Sequence, residues 1–391
     1  MGKAMLRQVA VDVSEPPRPS TRRKPHICFV APYAWPVLSR DPNIQVVGGA
    51  EVQQCILARL LAANGYRVSM ICFDYGQPSP ALVEGVTVYK SFRPDAGVPV
   101  LRFVHPRLTT MWRVLREVDA DIYYQRSSAM WTGVVAAFCR WHGKGSIYAG
   151  ASDRDFVRGE EQIRFARDRW IYRRGLATVD AIVAQNKAQV DTCRKYHGRE
   201  AVLIQSCYEL PKTSRAGKRD LVLWVGTIHD QKRPELFLEM AARLPQRRFV
   251  MIGGPAAKGE RFQPGYYESI RDRAAQLKNV EFTGFLPLAQ VEPWFDRARV
   301  LISTSVYEGM PNVFLQAWAR GVPVVSSVDV GVPMNRVFGD VDEAVLQIEK
   351  LFEDQDDWQE ASTRAREYFD ATHAPEQVLR QYGELIQKVA A

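Results

Sequence analysis

Three charged side chains, Lys232, Arg233 and Glu308, each lie shortly after an apolar stretch and shortly before a predicted helix. Lys232 and Arg233 precede a helix that is predicted to begin at Pro234, so two cations lie beside the amino end of a helix. Unpaired N–H groups and the helix dipole favour an anion at that position, and the two cations strengthen the preference. The pattern is typical of a diphosphate site, although a Lys-Arg pair in a solvated loop has the same sequence.

Glu308 belongs to a stretch that predicts a strand at 300–302, a polar loop, a short helix and a second strand at 322–325. Pro311 suits the first turn of that helix, where a missing N–H costs nothing, and Gly321 suits a left-handed helix end. The loop therefore presents three residues at the carboxyl end of a strand, where open α/β sheets bind ligands. These residues are Glu308, Gly309 and Met310.

Three polar residues, Asn312, Gln316 and Arg320, recur at four-residue steps along this helix between apolar residues. One interpretation is an amphipathic helix whose narrow polar face meets solvent. The other is a polar stripe that faces a ligand cleft, with Glu308 at its mouth. Periodicity alone does not separate the two interpretations.

The string from Glu308 to Val325, EGMPNVFLQAWARGVPVV, resembles the donor-site signature of retaining glycosyltransferases of family 4, which have the GT-B fold. Members usually show one Glu that contacts the transferred sugar and, eight positions later, a second Glu that contacts the ribose hydroxyls of the nucleotide. Glu308 matches the first position, whereas Gln316 occupies the second. Glutamine donates and accepts hydrogen bonds but lacks the charge that strengthens bonds to hydroxyls.

The same resemblance extends to the loops that follow the other predicted strands of the second half. The family pattern is Val-Gly-Arg with a Lys five positions later; Thr227 holds the Arg position, Lys232 matches the Lys, and Arg233 is an alternative cation. Gly253 and Gly254 resemble the glycine-rich turn of the family, and Phe285 lies where members hold the base, although each also fits an ordinary turn. The implied donor-binding residues are Thr227, Lys232, Arg233, Gly253, Gly254, Phe285, Glu308, Gly309, Met310, Pro311, Asn312 and Gln316.

In the first half, Gly48 and Gly49 lead directly into a predicted helix with Glu51 in its first turn. Two glycines allow close approach of a ligand to the backbone, and an ordinary helix entry with a favourable acid has the same pattern. The resemblance implies that these three residues form the acceptor or phosphate loop. Family members often carry a catalytic His where this chain has 150–152, and Asp153 is our candidate there. The predicted catalytic residues are thus Glu308, Lys232 and Asp153.

Composition places this chain of 391 residues among soluble globular proteins, with 46% hydrophobic and 25% charged residues, no membrane-length apolar run and no signal-peptide core. Six cysteines without Cys-x-x-Cys spacing predict reduced core thiols and a cytoplasmic protein. No metal-ligand spacing and no nucleic-acid motif is present.

The net charge of +8 is partly concentrated in residues 1–24, which carry six basic and two acidic residues. Proline and charge predict disorder there.

Strands alternate with helices of ten or more residues through both halves of the chain, which predicts parallel sheets wrapped by helices on both faces. A polar stretch at 211–220 predicts a linker, and a charged helix is predicted around 160–174. We therefore expect an α/β protein with two Rossmann-like domains that face a cleft. The expected division is a disordered basic tail at 1–24, an N-terminal acceptor domain at 25–208, a C-terminal nucleotide-sugar domain at 209–372 and, by resemblance, a crossover helix at 373–391.

The resemblance implies a metal-independent enzyme that moves a hexose-type sugar, with retention, from a UDP- or GDP-sugar to a glycan, lipid-linked or small-molecule acceptor, as in cell-surface polysaccharide synthesis. The basic amphipathic stretch at 101–117 suggests peripheral contact with an anionic membrane, or simply a helix packed on the sheet. Two other enzyme classes, a nicotinamide-dependent oxidoreductase and a nucleotide triphosphatase, fit the sequence poorly. No Gly-x-Gly-x-x-Gly follows the first strand, and residues 143–146 lack the upstream glycine of a P-loop.

A catalytically impaired sugar-nucleotide-binding protein of GT-B fold stays as an alternative. It is suggested by Thr227, Gln316, the missing His and a short segment after Ser327.

Overall fold

A computed structural model of the protein describes residues 23–39, 48–97, 103–211, 217–256 and 262–391. Most of the basic tail predicted at 1–24 and part of the linker predicted at 211–220 lie outside the described residues. The described residues form two α/β units, each with its own sheet.

The first sheet has the strand order β3-β4-β2-β1-β5-β6-β7-β8. Its strands are β1 (Ile27–Val30), β2 (Val68–Cys72), β3 (Ala81–Val83), β4 (Val86–Lys90), β5 (Ile122–Arg126), β6 (Gly145–Ala149), β7 (Ala181–Ala184) and β8 (Val202–Leu203). All neighbours pair in parallel except β3, which pairs antiparallel with β4. The two residues between β3 and β4, Glu84 and Gly85, both have positive φ, as a tight hairpin turn requires. This hairpin was not predicted, because Glu-Gly is a weak turn signal.

Helices cover both faces of this sheet. They are α1 (Trp35–Ser39), α2 (Gly49–Ala63), α3 (Thr109–Val118), α4 (Met130–His142), α5 (Ala166–Thr178) and α6 (Lys187–His197). The prediction of a helix from residue 160 is wrong at its start, since α5 begins at Ala166. The reason is Glu161, whose buried carboxylate accepts hydrogen bonds from the Gly159 N–H at 2.8 Å and from the Arg173 guanidinium at 2.6 and 3.0 Å. These bonds fold the preceding residues into a turn.

The second sheet is parallel throughout and has the order β11-β10-β9-β12-β13-β14. Its strands are β9 (Leu221–Val225), β10 (Arg248–Ile252), β11 (Val280–Gly284), β12 (Ala298–Ser303), β13 (Val324–Ser326) and β14 (Arg336–Val337). Its helices are α7 (Pro234–Arg243), α8 (Tyr266–Ala275), α9 (Leu288–Arg297), α10 (Asn312–Trp318), α11 (Val341–Glu353) and α12 (Gln355–Thr372). The short edge strand β14 was not predicted.

The last helix, α13 (Pro375–Val389), leaves the second unit and packs on the first. Val378, Tyr382 and Leu385 belong to the same apolar core as the inner faces of β1 and α2. The Tyr382 hydroxyl lies 3.3 Å from that of Tyr124 on β5. The predicted fold class, two parallel-sheet α/β domains with a C-terminal helix that returns to the first, is confirmed.

The turn between α12 and α13 contains His373, a fully buried side chain whose Nδ1 lies 2.6 Å from the Ser206 carbonyl oxygen. Burial lowers the pKa of His373 from 6.5 to about 4. Between these values the unfolded chain binds a proton that the folded chain does not, so stability should fall as the pH drops from about 6.5 to about 4. We expect a loss of roughly 3 kcal/mol in the free energy of unfolding over this window.

Urea unfolding at several pH values measures this slope. His373→Gln should make the slope shallower even where it lowers stability at pH 7, whereas a His105→Gln variant at an exposed position should keep it. An unchanged slope in His373→Gln would contradict the assignment.

Candidate functional site

The loops that follow β9 and β12 are joined to each other by hydrogen bonds. The Thr304 hydroxyl donates to the Lys232 carbonyl at 2.5 Å, and the Val306 N–H donates to the Gln231 carbonyl at 2.8 Å. Arg233, which has a left-handed φ of 42°, donates from its guanidinium to the carbonyls of Thr304 at 2.8 Å and Ser305 at 3.2 Å. Arg233 thus holds the two loops together. Two donors of this residue, which was predicted as an alternative cation for the diphosphate, are bonded to backbone carbonyls.

This junction brings Lys232 and Glu308 into direct contact. The Lys232 ammonium donates to Glu308 Oε1, and the Ser305 hydroxyl donates to the same oxygen at 2.6 Å. Both side chains stay partly exposed to solvent. Two residues that lie 76 positions apart therefore present a cation and a carboxylate side by side, next to the amino end of α7. Such a pair can bind a ligand that carries both an anionic group and hydroxyl groups.

Glycines let the ends of three strands approach one another at the edge of the sheet from which the Lys232 loop leaves. A Cβ on Gly253 would lie 2.0 Å from the Gly226 carbonyl oxygen, and a Cβ on Gly254 would lie 2.9 Å from Phe285 Cβ. Neither position admits another residue without backbone movement. Thr227 is exposed next to Gly226, and Phe285 is half-buried. Four predicted donor-binding residues thus lie at the carboxyl edge of β9, β10 and β11, which is the edge that carries Lys232.

The loop from Gly309 to Asn312 contacts the first domain. A Cβ on Gly309 would lie 3.3 Å from the Ala151 carbonyl oxygen. The Asn312 amide donates to the Gly49 carbonyl at 3.1 Å and accepts from Gln53 Nε2 at 2.9 Å. Met310 and Pro311 are buried. The structure therefore places Asn312 as a bridge between the second domain and the glycine loop of the first.

Gln316 and Arg320 are buried, so the interpretation of a solvent-facing polar stripe is wrong for both. Gln316 Nε2 donates to Glu292 Oε1 at 3.1 Å, and the Arg320 guanidinium donates to Glu292 Oε2 at 2.7 Å and to Asp296 Oδ1 at 2.6 Å. The Tyr208 hydroxyl also donates to Glu292 Oε2 at 2.6 Å. This network gives a physical reason for glutamine at position 316, because a second carboxylate could not donate to Glu292.

Gln316→Glu should destabilise the protein at pH 7.5 by about 2–4 kcal/mol, since two buried carboxylates would face each other without a proton between them. Repulsion would raise the pKa of one carboxyl, so the loss should shrink as the pH falls and that group takes up a proton. Chemical unfolding at pH 7.5 and 5.0 tests both statements. Adding Glu292→Gln to the variant should restore part of the stability, and wild-type stability of Gln316→Glu at pH 7.5 would contradict the account.

Asp153 lies in a short helical turn (Asp153–Asp155) after β6, and its Oδ1 accepts from Asn186 Nδ2 at 3.0 Å and Gln189 Nε2 at 2.8 Å. The next residue, Arg154, donates to the Tyr307 hydroxyl at 3.2 Å across the domain boundary. Asp153 is thus held by two amides close to the Glu308 loop. The Arg154–Tyr307 contact was not predicted from the sequence, although both residues neighbour predicted site residues.

Glu51 folds back over the amino end of α2. A Cβ on Gly48 would lie 2.0 Å from Glu51 Oε2, so a larger residue there would require the Glu51 carboxylate to move. Burial raises the pKa of Glu51, and the positive charge of Arg126 opposes that rise. Arg126, a buried residue at the carboxyl end of β5 that donates to the Ser206 hydroxyl at 3.1 Å, was not predicted. Its signal in the sequence was a charged residue at the end of β5, and the sheet places this strand beside β1, where the strand order reverses.

Two further features concern the described residues as a whole, namely metal ligands and bilayer-spanning helices. No group of three or more His, Cys, Asp or Glu side chains there is arranged to hold a metal ion. No helix in that part of the chain has the length and apolar character to cross a bilayer. The six cysteines, all within it, are buried and free, as predicted.

Two family models match the chain, one for each domain. "Glycosyltransferase Family 4" matches residues 47–206, and "Glycosyl transferases group 1" matches residues 219–361. Among sequence relatives, the O-antigen biosynthesis glycosyltransferase WbnH of Escherichia coli is 27% identical over 181 residues, which are 43% of this chain and 48% of that protein. The match thus spans about half the length of that relative.

Solved structures share the whole architecture at low sequence identity. Sucrose-phosphate synthase from Thermosynechococcus elongatus superposes with a TM-score of 0.74 at 17% identity, covering 93% of this chain and 99% of that one. HepE from Anabaena, in complex with UDP and glucose, gives 0.69 at 16% identity over 92% and 99%. At these identities the structural likeness shows the fold alone. The assignment to a family rests on the two family models. The chain accordingly belongs to the family 4, group 1 glycosyltransferases, with the GT-B fold.

Proposed function

We propose that the protein transfers a hexose-type sugar from a nucleotide-diphosphate sugar to an acceptor, with retention of anomeric configuration and without a bound metal. The observation that carries the proposal is the contact between Lys232 and Glu308 beside the amino end of α7. Retention is inferred from family membership. The function requires positive charge for the leaving diphosphate and a hydrogen-bonding group for the sugar, and these two side chains supply both.

In this mechanism Lys232 and the N–H groups of α7 stabilise the negative charge that develops on the departing diphosphate. A lysine ammonium can supply the charge that a metal ion supplies elsewhere. Glu308 accepts hydrogen bonds from hydroxyls of the transferred sugar, and charged acceptors make the stronger bonds. The acceptor enters over Gly48 and Gly49, near Asp153, which we propose as a third catalytic residue. Thr227, Gly253, Gly254 and Phe285 surround the nucleotide.

The nucleotide and acceptor are proposed from the relatives. HepE was crystallised with UDP and glucose, which favours a UDP-sugar over a GDP-sugar for this chain. WbnH bears the name of an O-antigen biosynthesis enzyme, which favours a lipid-linked acceptor in cell-surface polysaccharide synthesis. A cytoplasmic protein with peripheral contact at the inner face of the membrane would meet both substrates.

Calorimetry with UDP-, GDP- and ADP-sugars, followed by a transfer and hydrolysis assay, tests the proposal. We expect one nucleotide to bind at least tenfold more tightly than the others and to support transfer. The anomeric configuration of the product, read by NMR, tests retention. Absence of binding to every sugar nucleotide would overturn the assignment.

A catalytically impaired GT-B protein that binds sugar nucleotides is the second candidate. The observation in its favour is the position of Arg233, whose guanidinium is held by the carbonyls of Thr304 and Ser305. With Thr227 in place of the family's arginine, Lys232 is then the principal side-chain cation for the diphosphate. Tight binding without transfer or hydrolysis would support this candidate.

A further inference from the structure

Helices α3, α4 and α5 form one continuous layer on the outer side of the first sheet. The Trp112 and Phe138 rings, from α3 and α4, lie 5.2 Å apart, centroid to centroid. Helices α4 and α5 touch through their backbones, since a Cβ on Gly175 would lie 2.5 Å from the Gly133 nitrogen. Arg167 of α5 lies 3.5 Å above the ring of Phe103, just before α3. The outward sides of the three helices therefore make a single surface.

This surface combines exposed tryptophan with arginine. Trp141 is 81% exposed and Trp170 is 64% exposed, the two most exposed tryptophans in the described chain. Four exposed arginines of α3 and α5 accompany them. We call the set the arginine-tryptophan face; it consists of Arg113, Arg116, Trp141, Arg167, Trp170 and Arg174.

The positive charge of this face is largely uncompensated. Among the described residues no acid lies within ion-pair distance of Arg113, Arg116 or Arg174, and Arg167 pairs only with its neighbour Asp168. Exposed arginines elsewhere are commonly paired, as the ion pairs Arg194–Glu200 and Arg364–Glu360 illustrate. The three helices together carry seven arginines against two acidic residues.

We propose that the arginine-tryptophan face docks on an anionic lipid bilayer. Arginine attracts anionic headgroups, and tryptophan prefers the headgroup level because its ring is amphipathic. The sequence suggested residues 101–117 for such a contact, of which 101 and 102 lie outside the described residues. The structure extends this segment to three helices and adds both tryptophans.

The arginine-tryptophan face is connected along the chain to the segment of the proposed acceptor entrance. Helix α5 follows the segment that carries Asp153 and Arg154, and Arg154 contacts Tyr307 of the second domain. Phe165, 52% exposed directly before α5, extends the face toward that segment. The face and the segment of the proposed acceptor entrance are thus joined along the chain through α5.

Co-sedimentation of the full chain with phosphatidylcholine vesicles, with and without phosphatidylglycerol, tests the proposal. We expect binding to the phosphatidylglycerol vesicles at low salt and its loss at high salt. Trp141→Ser/Trp170→Ser should lower the partition coefficient about tenfold, and Arg113→Ala/Arg174→Ala about thirtyfold. Quenching of tryptophan fluorescence by brominated lipids should disappear in the first variant.

Controls change other exposed residues, those of the second domain, in Leu346→Ser and Arg271→Ala, and these variants should bind like the wild type. The basic residues at 1–24 are present in every variant, so a loss belongs to the face. The assay needs neither donor nor acceptor, which separates it from the proposed transferase activity. Three results would overturn the proposal: no binding to anionic vesicles at low salt, wild-type binding by both double variants, or self-association that the same substitutions abolish.

Discussion

Lys232→Ala should lower kcat for sugar transfer by about 10²–10³-fold, the loss that follows removal of one preorganised donor from a developing negative charge. The Lys232 ammonium contacts Glu308 and lies beside the amino end of α7, where we place the leaving diphosphate. The backbone carbonyl of Lys232, which accepts from Thr304, is retained in the variant, so the loop should keep its shape. Steady-state kinetics with the preferred sugar nucleotide gives the result.

The stability of Lys232→Ala should be measured as a control for its activity. The ion pair with Glu308 is partly exposed and should contribute no more than about 1 kcal/mol, so the unfolding midpoint should change little. Lys218→Ala, at a lysine whose side chain is 88% exposed and which pairs with Asp220, should retain full activity. A near-normal kcat in Lys232→Ala would contradict the proposal that the diphosphate binds at this loop.

Glu308→Gln should lower kcat by about 10²-fold while leaving the fold intact. The amide keeps the shape of the carboxylate and can still accept from the Ser305 hydroxyl, but it loses the charge that strengthens bonds to sugar hydroxyls. We expect kcat to fall more than the affinity for the nucleotide, because Glu308 is proposed to hold the sugar. Separate measurements of kcat and of UDP affinity by calorimetry distinguish the two.

Glu281→Gln, which removes an exposed carboxylate paired with Arg248 in the same sheet, is the matched control and should be silent. The double variant of Lys232 and Glu308 adds a sharper test. Residues in contact within one site show non-additive effects, so the double variant should be less impaired than the product of the two single losses. Strict additivity would mean that the two side chains act at separate places.

In the first domain, the local sequence pattern predicted most elements but not all of them. Alternation of apolar strands with long helices predicted every strand of the first sheet except β3, which depends on the Glu84–Gly85 turn. The start of α5 was misplaced because a charged, helix-compatible stretch was folded by one buried carboxylate, that of Glu161. In both cases a single conformational detail overrode a periodic signal.

The sequence by itself determined the two α/β lobes, the family and the two charged positions of the proposed site, since hydrophobic period, glycine position and a long signature are local properties. It did not determine which polar side chain meets which. Lys232 meets Glu308 because β9 and β12 are neighbours in the sheet, so that loops distant in sequence leave the same edge side by side. Arg233 donates to backbone carbonyls, Asn312 bonds to the first domain, and Gln316 donates to Glu292. Helical spacing fixes only the direction of a residue from its axis, and tertiary packing decides what lies in that direction.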